Sequence, residues 1–162
     1  MVGAAEDDGP GGAPVDLGSD YVFVRSGSTW VQQAKLVASD ATAGDSFGSS
    51  VAISADSVLV GAMRDDANDQ GSAYVFVRSG TAWLQQAKLL AGDPLAGDYF
   101  GGSVALSADT ALIGATQEAI SSTNKVGKAY VFVRSGASWA QQAKFVENDG
   151  VFQATAKGEA VF

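Results

Sequence analysis

Tyr21-Val22-Phe23-Val24-Arg25-Ser26-Gly27 recurs letter for letter from Tyr74 to Gly80 and again from Tyr130 to Gly136. Self-similarity at a near-fixed period marks a repeat architecture. Each copy runs through two variable residues to a tryptophan (Trp30, Trp83, Trp139) and on to Gln-Gln-Ala-Lys at 32–35, 85–88 and 141–144. The copies start 53 and then 56 residues apart. The extra residues fall in Gln117–Lys128, a polar stretch between apolar runs, where an insertion costs least. That stretch is expected to be a loop.

Working outward, Ala43-Gly44-Asp45-Ser46-Phe47-Gly48 matches Ala96-Gly97-Asp98-Tyr99-Phe100-Gly101. Next come Ser50–Ser57 and its partner Ser103–Thr110, followed by Val60-Gly61-Ala62 and Ile113-Gly114-Ala115, with a further Val-Gly-Ala at Val2–Ala4. Val51–Ser54 and Val58–Ala62 flank a tight Ala55-Asp56 turn, and Ala73–Arg78 and Trp83–Leu89 flank Ser79-Gly80. Each unit therefore reads as two hairpins, four strands in all. Tyr74-Val75-Phe76-Val77 is apolar on both faces, as in a strand covered on both sides, whereas Leu84–Lys88 is mixed, as at an outer edge. The competing reading is a strand-plus-helix solenoid, because Gln-Gln-Ala-Lys-Leu has good helix propensity. The segment is short, bounded by Gly80 and Gly92, and opens with tryptophan, which favours strand.

Twenty glycines against three prolines in 162 residues agree with an all-β chain rich in tight turns. A net charge of −8 leaves no basic stripe and excludes a nucleic-acid partner. Cysteine is absent, so disulfides and thiolate chemistry are excluded. No apolar stretch approaches the roughly 20 residues of a membrane span, and residues 1–8 lack the pattern of a signal peptide.

Phe47-Gly48 followed by Val60-Gly61-Ala62, and Phe100-Gly101 followed by Ile113-Gly114-Ala115, resemble the Phe-Gly and Gly-Ala-Pro elements of FG-GAP repeats, the units of integrin-α-like β-propellers. The proline is replaced by Met63, Thr116 and Ala5. The resemblance covers almost the whole chain and implies four-stranded blades, adhesion or binding rather than catalysis, and an extracellular or cell-surface location. It also raises calcium, which such blades often bind between their first two strands. Here that loop is only Ala55-Asp56 or Ala108-Asp109, and one aspartate cannot supply six to eight oxygens. The other acidic stretch offers Asp65, Asp66, Asn68 and Asp69 as weak candidates, without a bidentate acid at the expected distance because Val77 stands there. The expectation is no cofactor.

In such a meander the short turns emerge on one face of the disc and all other loops on the opposite face. Asp40, Asp45, Asp65, Asp66, Asp69, Asp93 and Asp98 then fall on the long-loop face, with Tyr99 as its clearest aromatic. Arg25, Arg78, Arg134, Asp56 and Asp109 fall on the short-turn face, as modest exposed pairs. The long-loop face is the candidate site for a protein or glycan ligand. Phe47, Gly48, Gly61, Phe100, Gly101, Gly114, the three tyrosines (Tyr21, Tyr74, Tyr130) and the three tryptophans read as structural repeat positions.

Without histidine or cysteine, the usual bases, thiol nucleophiles and transition-metal ligands are missing, and no carboxylate lies in an apolar context suited to glycoside hydrolysis. Gly101–Ala105 is not a nucleophile elbow, and Gly9-Pro10-Gly11-Gly12 reads as linker rather than a dinucleotide loop. The chain divides into an incomplete first blade (1–38), a second (39–90), a third (91–146) and a diverged start of a fourth unit (147–162), where Ala156 stands in the register of Phe47 and Phe100. Closed propellers have roughly four to eight blades. The expected partners are therefore further blades, in cis or from another copy of the chain.

Overall fold

The computed structural model describes residues 1–7, 16–66, 68–116, 127–148 and 151–156, and every regular element among them is a β-strand. The linker reading of residues 9–12 and the loop insertion at 117–126 lie outside the described residues. Strands β1 (Val2–Ala4), β2 (Ser19–Ser26) and β3 (Thr29–Leu36) form the first sheet. The second holds β4 (Phe47–Ser54), β5 (Ser57–Ala62), β6 (Ser72–Ser79) and β7 (Ala82–Leu89). The third holds β8 (Phe100–Ser107), β9 (Thr110–Ala115), β10 (Lys128–Ser135), β11 (Ser138–Asn148) and β12 (Val151–Ala156). Every neighbouring pair is antiparallel and consecutive in sequence, so the sheets are successive blades of a partial propeller.

β1 pairs with β2 as β5 pairs with β6, with Val2 opposite Tyr21 and Val60 opposite Tyr74. Val2-Gly3-Ala4 is thus the counterpart of a second strand, as its sequence indicates. The end of the chain differs from expectation. Residues 147 and 148 continue β11, and 151–156 fold back on it as a fifth, outermost strand, with Asn148 opposite Val151, instead of opening a further sheet. The buried Phe47 and Phe100 anchor the strands that open the second and third sheets.

The core lies in the two seams between sheets. Val22 and Leu36 of the first sheet meet Val58, Val60 and Phe76 of the second. Leu59, Val75 and Leu89 on the second sheet's other face meet Ala111, Ile113 and Phe132 of the third. The period-2 alternation of a strand sends successive side chains into opposite seams, which is why these runs are apolar throughout. Phe47 sits edge-on to Tyr74 at 5.5 Å, and Phe100 to Tyr130 at 5.3 Å, the geometry preferred by aromatic quadrupoles.

The Phe-Gly and Gly-Ala elements meet across these seams. Gly48 and Gly101 each adopt a φ of 91°, a left-handed conformation natural to glycine, and bulge the strand between Phe47 and Ser50 and between Phe100 and Ser103. The bulge aims the Gly101 carbonyl at Gly61 of the preceding sheet, where a Cβ would overlap that oxygen. Gly3 lies under the Gly48 carbonyl in the same way. Ser50 completes the joint by donating its hydroxyl to the Gly101 oxygen at 2.6 Å.

Candidate functional site

On the long-loop face a repeated cluster stands at the end of each third strand. In the second sheet, Tyr74 and Lys88 are directly opposite on β6 and β7, with the ammonium 5.4 Å from the ring centroid. The Tyr74 hydroxyl reaches Asp40 at 3.0 Å and also Asp65. Lys88 Nζ lies 2.9 Å from both Asp40 and Asp65 and 3.2 Å from Asp66, which also accepts from the Ser72 hydroxyl at 3.0 Å. Tyr130 and Lys144 of the third sheet hold Asp93 in the same manner. Tyr21 and Lys35 of the first hold Asp7, at 2.5 and 3.0 Å.

Burial would raise the Asp40 and Asp93 carboxyls, but the lysine and tyrosine donors outweigh it and hold both below the ordinary carboxylate range. The Lys88 ammonium is pulled down by burial and pushed up further by its three carboxylates, so it stays charged. Burial and the neighbouring carboxylates both raise the Tyr74 and Tyr130 hydroxyls, which therefore remain neutral donors.

Other candidates are turned inward. Asp45, nearly buried, accepts from the Thr42 amide and hydroxyl at 2.5 and 2.7 Å, closing its own loop. Asp98, also buried, accepts from the Leu95 amide at 3.0 Å and pairs with Lys128 at 2.8 Å. Both carboxylates are thus turned toward partners within their own units, although Asp45 still contributes to the wall of a cleft on this face. Tyr99 is half-buried, and its amide donates to the Asp69 carbonyl at 3.2 Å while the Gly97 amide donates to the Asn68 carbonyl at 2.8 Å. The stretch Asn68-Asp69 thus uses its backbone to hold the next unit's loop. Asp65 and Asp66 are committed to Lys88, and among the described residues no group of three or more acidic side chains is arranged to hold a metal ion.

What remains open is a cleft of about 720 Å³ on this face, lined by Asp40, Thr42, Arg64, Asp66, Asp69 and Lys88 among others. Sequence reading placed the aspartates here but missed Arg64 and the repeat lysines. The identical Tyr and Lys of all three copies were the available signal. On the opposite face Arg78 pairs with Asp56 and Arg134 with Asp109, each at 2.6 Å, as expected, while Arg25 donates to the Gly27 carbonyl. Trp83 and Trp139 donate across the seams to Gln33 and Gln86, and Trp30 is exposed. No helix among the described residues is long and apolar enough to cross a membrane.

No curated protein matches the chain significantly. The FG-GAP repeat model matches residues 30–76 and 83–132, each match running from the outer strand of one sheet to the third strand of the next. The matched stretches contain both Phe-Gly joints and both complete Gly-Ala strands, and cover more than half the sequence, so this chain belongs to the FG-GAP repeat family.

Proposed function

We propose that the chain is a non-catalytic binding module of a secreted or cell-surface propeller, engaging a protein or glycan through the long-loop face. The observation that carries this reading is the open polar cleft between the Asp40–Asp45 and Arg64–Asp69 loops. It offers both signs of charge, with Asp40 held ionised and Lys88 and Arg64 beside it, an arrangement suited to hydroxyl-rich or mixed-charge ligands. Among the described residues the carboxyl raised toward neutrality, Asp20, is fully buried in a seam and does not line the cleft, which speaks against acid–base catalysis there. The location is proposed from the usual setting of the family.

The test is a screen of the chain against an array of neutral and amino-sugar glycans and a panel of basic peptides, with an Arg64→Ala, Asp69→Asn double variant alongside. The expected result is a ligand held by the wild type and lost by the variant. Binding that ignores both substitutions, or no ligand at all, overturns the reading.

A second reading, a structural repeat that associates with more of itself, is favoured by the two outer sheet faces. Val2 is 55% and Trp30 66% exposed on one, and Leu112 is 44% exposed on the other. Sedimentation across a concentration series checks it, a persistent monomer counting against it.

A further inference from the structure

Most of the charge along the loop-face cleft is already engaged within the chain. Asp40 meets the Tyr74 hydroxyl with one carboxylate oxygen and Lys88 with the other, and Asp45 turns both of its oxygens to Thr42. Asp65 accepts from the Asp66 amide through one oxygen and meets Tyr74 and Lys88 through the other. Asp66 divides its oxygens between Lys88 and Ser72. Lys88 in turn has a carboxylate for each of its three donors. Two charged side chains of the lining are left over. The Arg64 guanidinium and the Asp69 carboxylate face the same cleft, and among the described residues neither makes an ion pair or a side-chain hydrogen bond, with the other or with any neighbour.

Their backbones are fixed, so the separation of the two charges is built in. The Arg64 amide donates to the Asp45 carbonyl at 3.2 Å, the Gly71 amide closes the intervening loop on the Asp65 carbonyl at 2.9 Å, and the Asp69 carbonyl accepts from the Tyr99 amide at 3.2 Å. Arg64 is not a repeat position, because Glu6 and Gln117 stand in its place in the other units. Arg25, Arg78 and Arg134, which do repeat, each have a partner.

We propose that Arg64 and Asp69 are the two poles of a site for a zwitterionic end group, the C-terminal lysine of a peptide, with the α-carboxylate on Arg64 and the ε-ammonium on Asp69. This rests on the cleft being the module's binding site. The planar fork of a guanidinium matches a carboxylate, and the four-carbon stem of lysine lets its two charges reach poles that do not meet each other. A simple anion would enter a cleft whose carboxylates outnumber its cations, and a simple cation would leave Arg64 unpaired. A neutral sugar fits less well. The other carboxylates that would accept its hydroxyls are occupied, the Tyr74 ring lies beneath Lys88, and Tyr99 does not line the cleft.

The probes are acetyl-Gly-Ser-Gly-Lys with a free C-terminus, the same peptide as its C-terminal amide, the free acid with norleucine for lysine, and lysine itself. Each is titrated into the nitrogen-labelled full chain and followed by the amide resonances of Arg64 and Asp69. Saturable shifts are expected with the first, and binding about three- to tenfold weaker with the amide and with the norleucine peptide, the range for charge-assisted contacts at an open site. Arg64→Ala is expected to abolish the difference between acid and amide. Asp69→Asn is expected to abolish that between lysine and norleucine, and asparagine tolerates the φ of 57° at this position, so the loop is kept. Free lysine binding as tightly as the peptide overturns the assignment to a peptide end. Acid and amide that bind alike, selectivity that survives either substitution, or no shift with any probe while the wider screen still yields a ligand lost by the double variant, overturns the zwitterion site and leaves the cleft as a binding site. Failure of these probes and of the whole screen removes both.

Discussion

The indole nitrogen of Trp83 lies 3.1 Å from the side-chain oxygen of Gln33, across the seam between the first two sheets. Trp139 repeats the contact with Gln86 at 3.0 Å across the next. In the second and third sheets the first glutamine of the pair works in the other direction, Gln85 accepting from the Ser39 amide and Gln141 from the Gly92 amide, both at 2.9 Å. The repeat tryptophan is therefore a clasp between units. Trp139→Phe or Gln86→Leu is expected to cost about 1 kcal/mol, the net worth of one hydrogen bond, with a coupling of similar size in the double-mutant cycle. Trp30→Phe, at an exposed site, is expected to change stability by less than about 0.5 kcal/mol. Urea midpoints decide it, and equal costs at all three tryptophans would remove the clasp.

The repeat and its four strands were legible because the same seven residues return three times, and the Arg78–Asp56 pair because both flank short turns. The Tyr74–Lys88 contact was not. Counting from the Ser79-Gly80 turn pairs Trp83 with Arg78 and Gln85 with Phe76, and an unbroken ladder would next place Ala87 opposite Tyr74. Gln86 instead bulges out, so Ala87 meets Val75 and Lys88 meets Tyr74. A slip of one residue moves a side chain to the other face of a sheet, so the lysine's role depended on a bulge with no turn residue to announce it. The joint between Gly61 and the Gly101 carbonyl was hidden for a related reason: it joins strands of different sheets, and no local period encodes that.

Leu95 leaves a carboxylate short of a partner. Asp45 has both oxygens engaged by Thr42, whereas the buried Oδ1 of Asp98 has none, because position 95 carries no hydroxyl. Leu95 is itself exposed and contributes little burial. Leu95→Thr is expected to stabilise the chain by about 1 kcal/mol, and Thr42→Val to destabilise it by about as much. Thermal and urea unfolding of the two variants should move in opposite directions, and a destabilised Leu95→Thr chain would contradict this account.

Asp20 makes stability pH-dependent. It stands where the second and third sheets carry Ala73 and Ala129, fully buried, with Oδ1 accepting from the Tyr21 amide at 2.8 Å and Oδ2 unpartnered. Burial pushes its carboxyl up from an ordinary 3.8 to about 7, outweighing the backbone donors. The folded chain thus holds a proton that the unfolded chain releases between about pH 4 and 7, so this residue's contribution falls as pH rises through that window and levels above it. Asp20→Ala is expected to gain on the wild type by roughly 2–4 kcal/mol between pH 4 and pH 8. Parallel pH–stability curves for the two proteins would show that Asp20 ionises normally.

Gly61 and Gly114 occupy the same position of the same motif and differ only in what lies above them. A Cβ on Gly61 would overlap the Gly101 carbonyl, backbone that is fixed by its own bulge and cannot move without opening the seam. A Cβ on Gly114 would meet the Ser103 hydroxyl, the end of a side chain that can rotate away. Gly61→Ala is therefore expected to cost about 3 kcal/mol or more, the upper range for overpacking a closed core. Gly114→Ala is expected to cost less than about 1 kcal/mol, because the lower chain entropy of alanine in a strand offsets the rotation. The comparison isolates the joint between units, since strand propensity, neighbours in sequence and sheet position are matched. Urea unfolding at unchanged slope gives both values, and similar losses would mean that the glycine is required by its own strand and not by the Phe-Gly carbonyl above it.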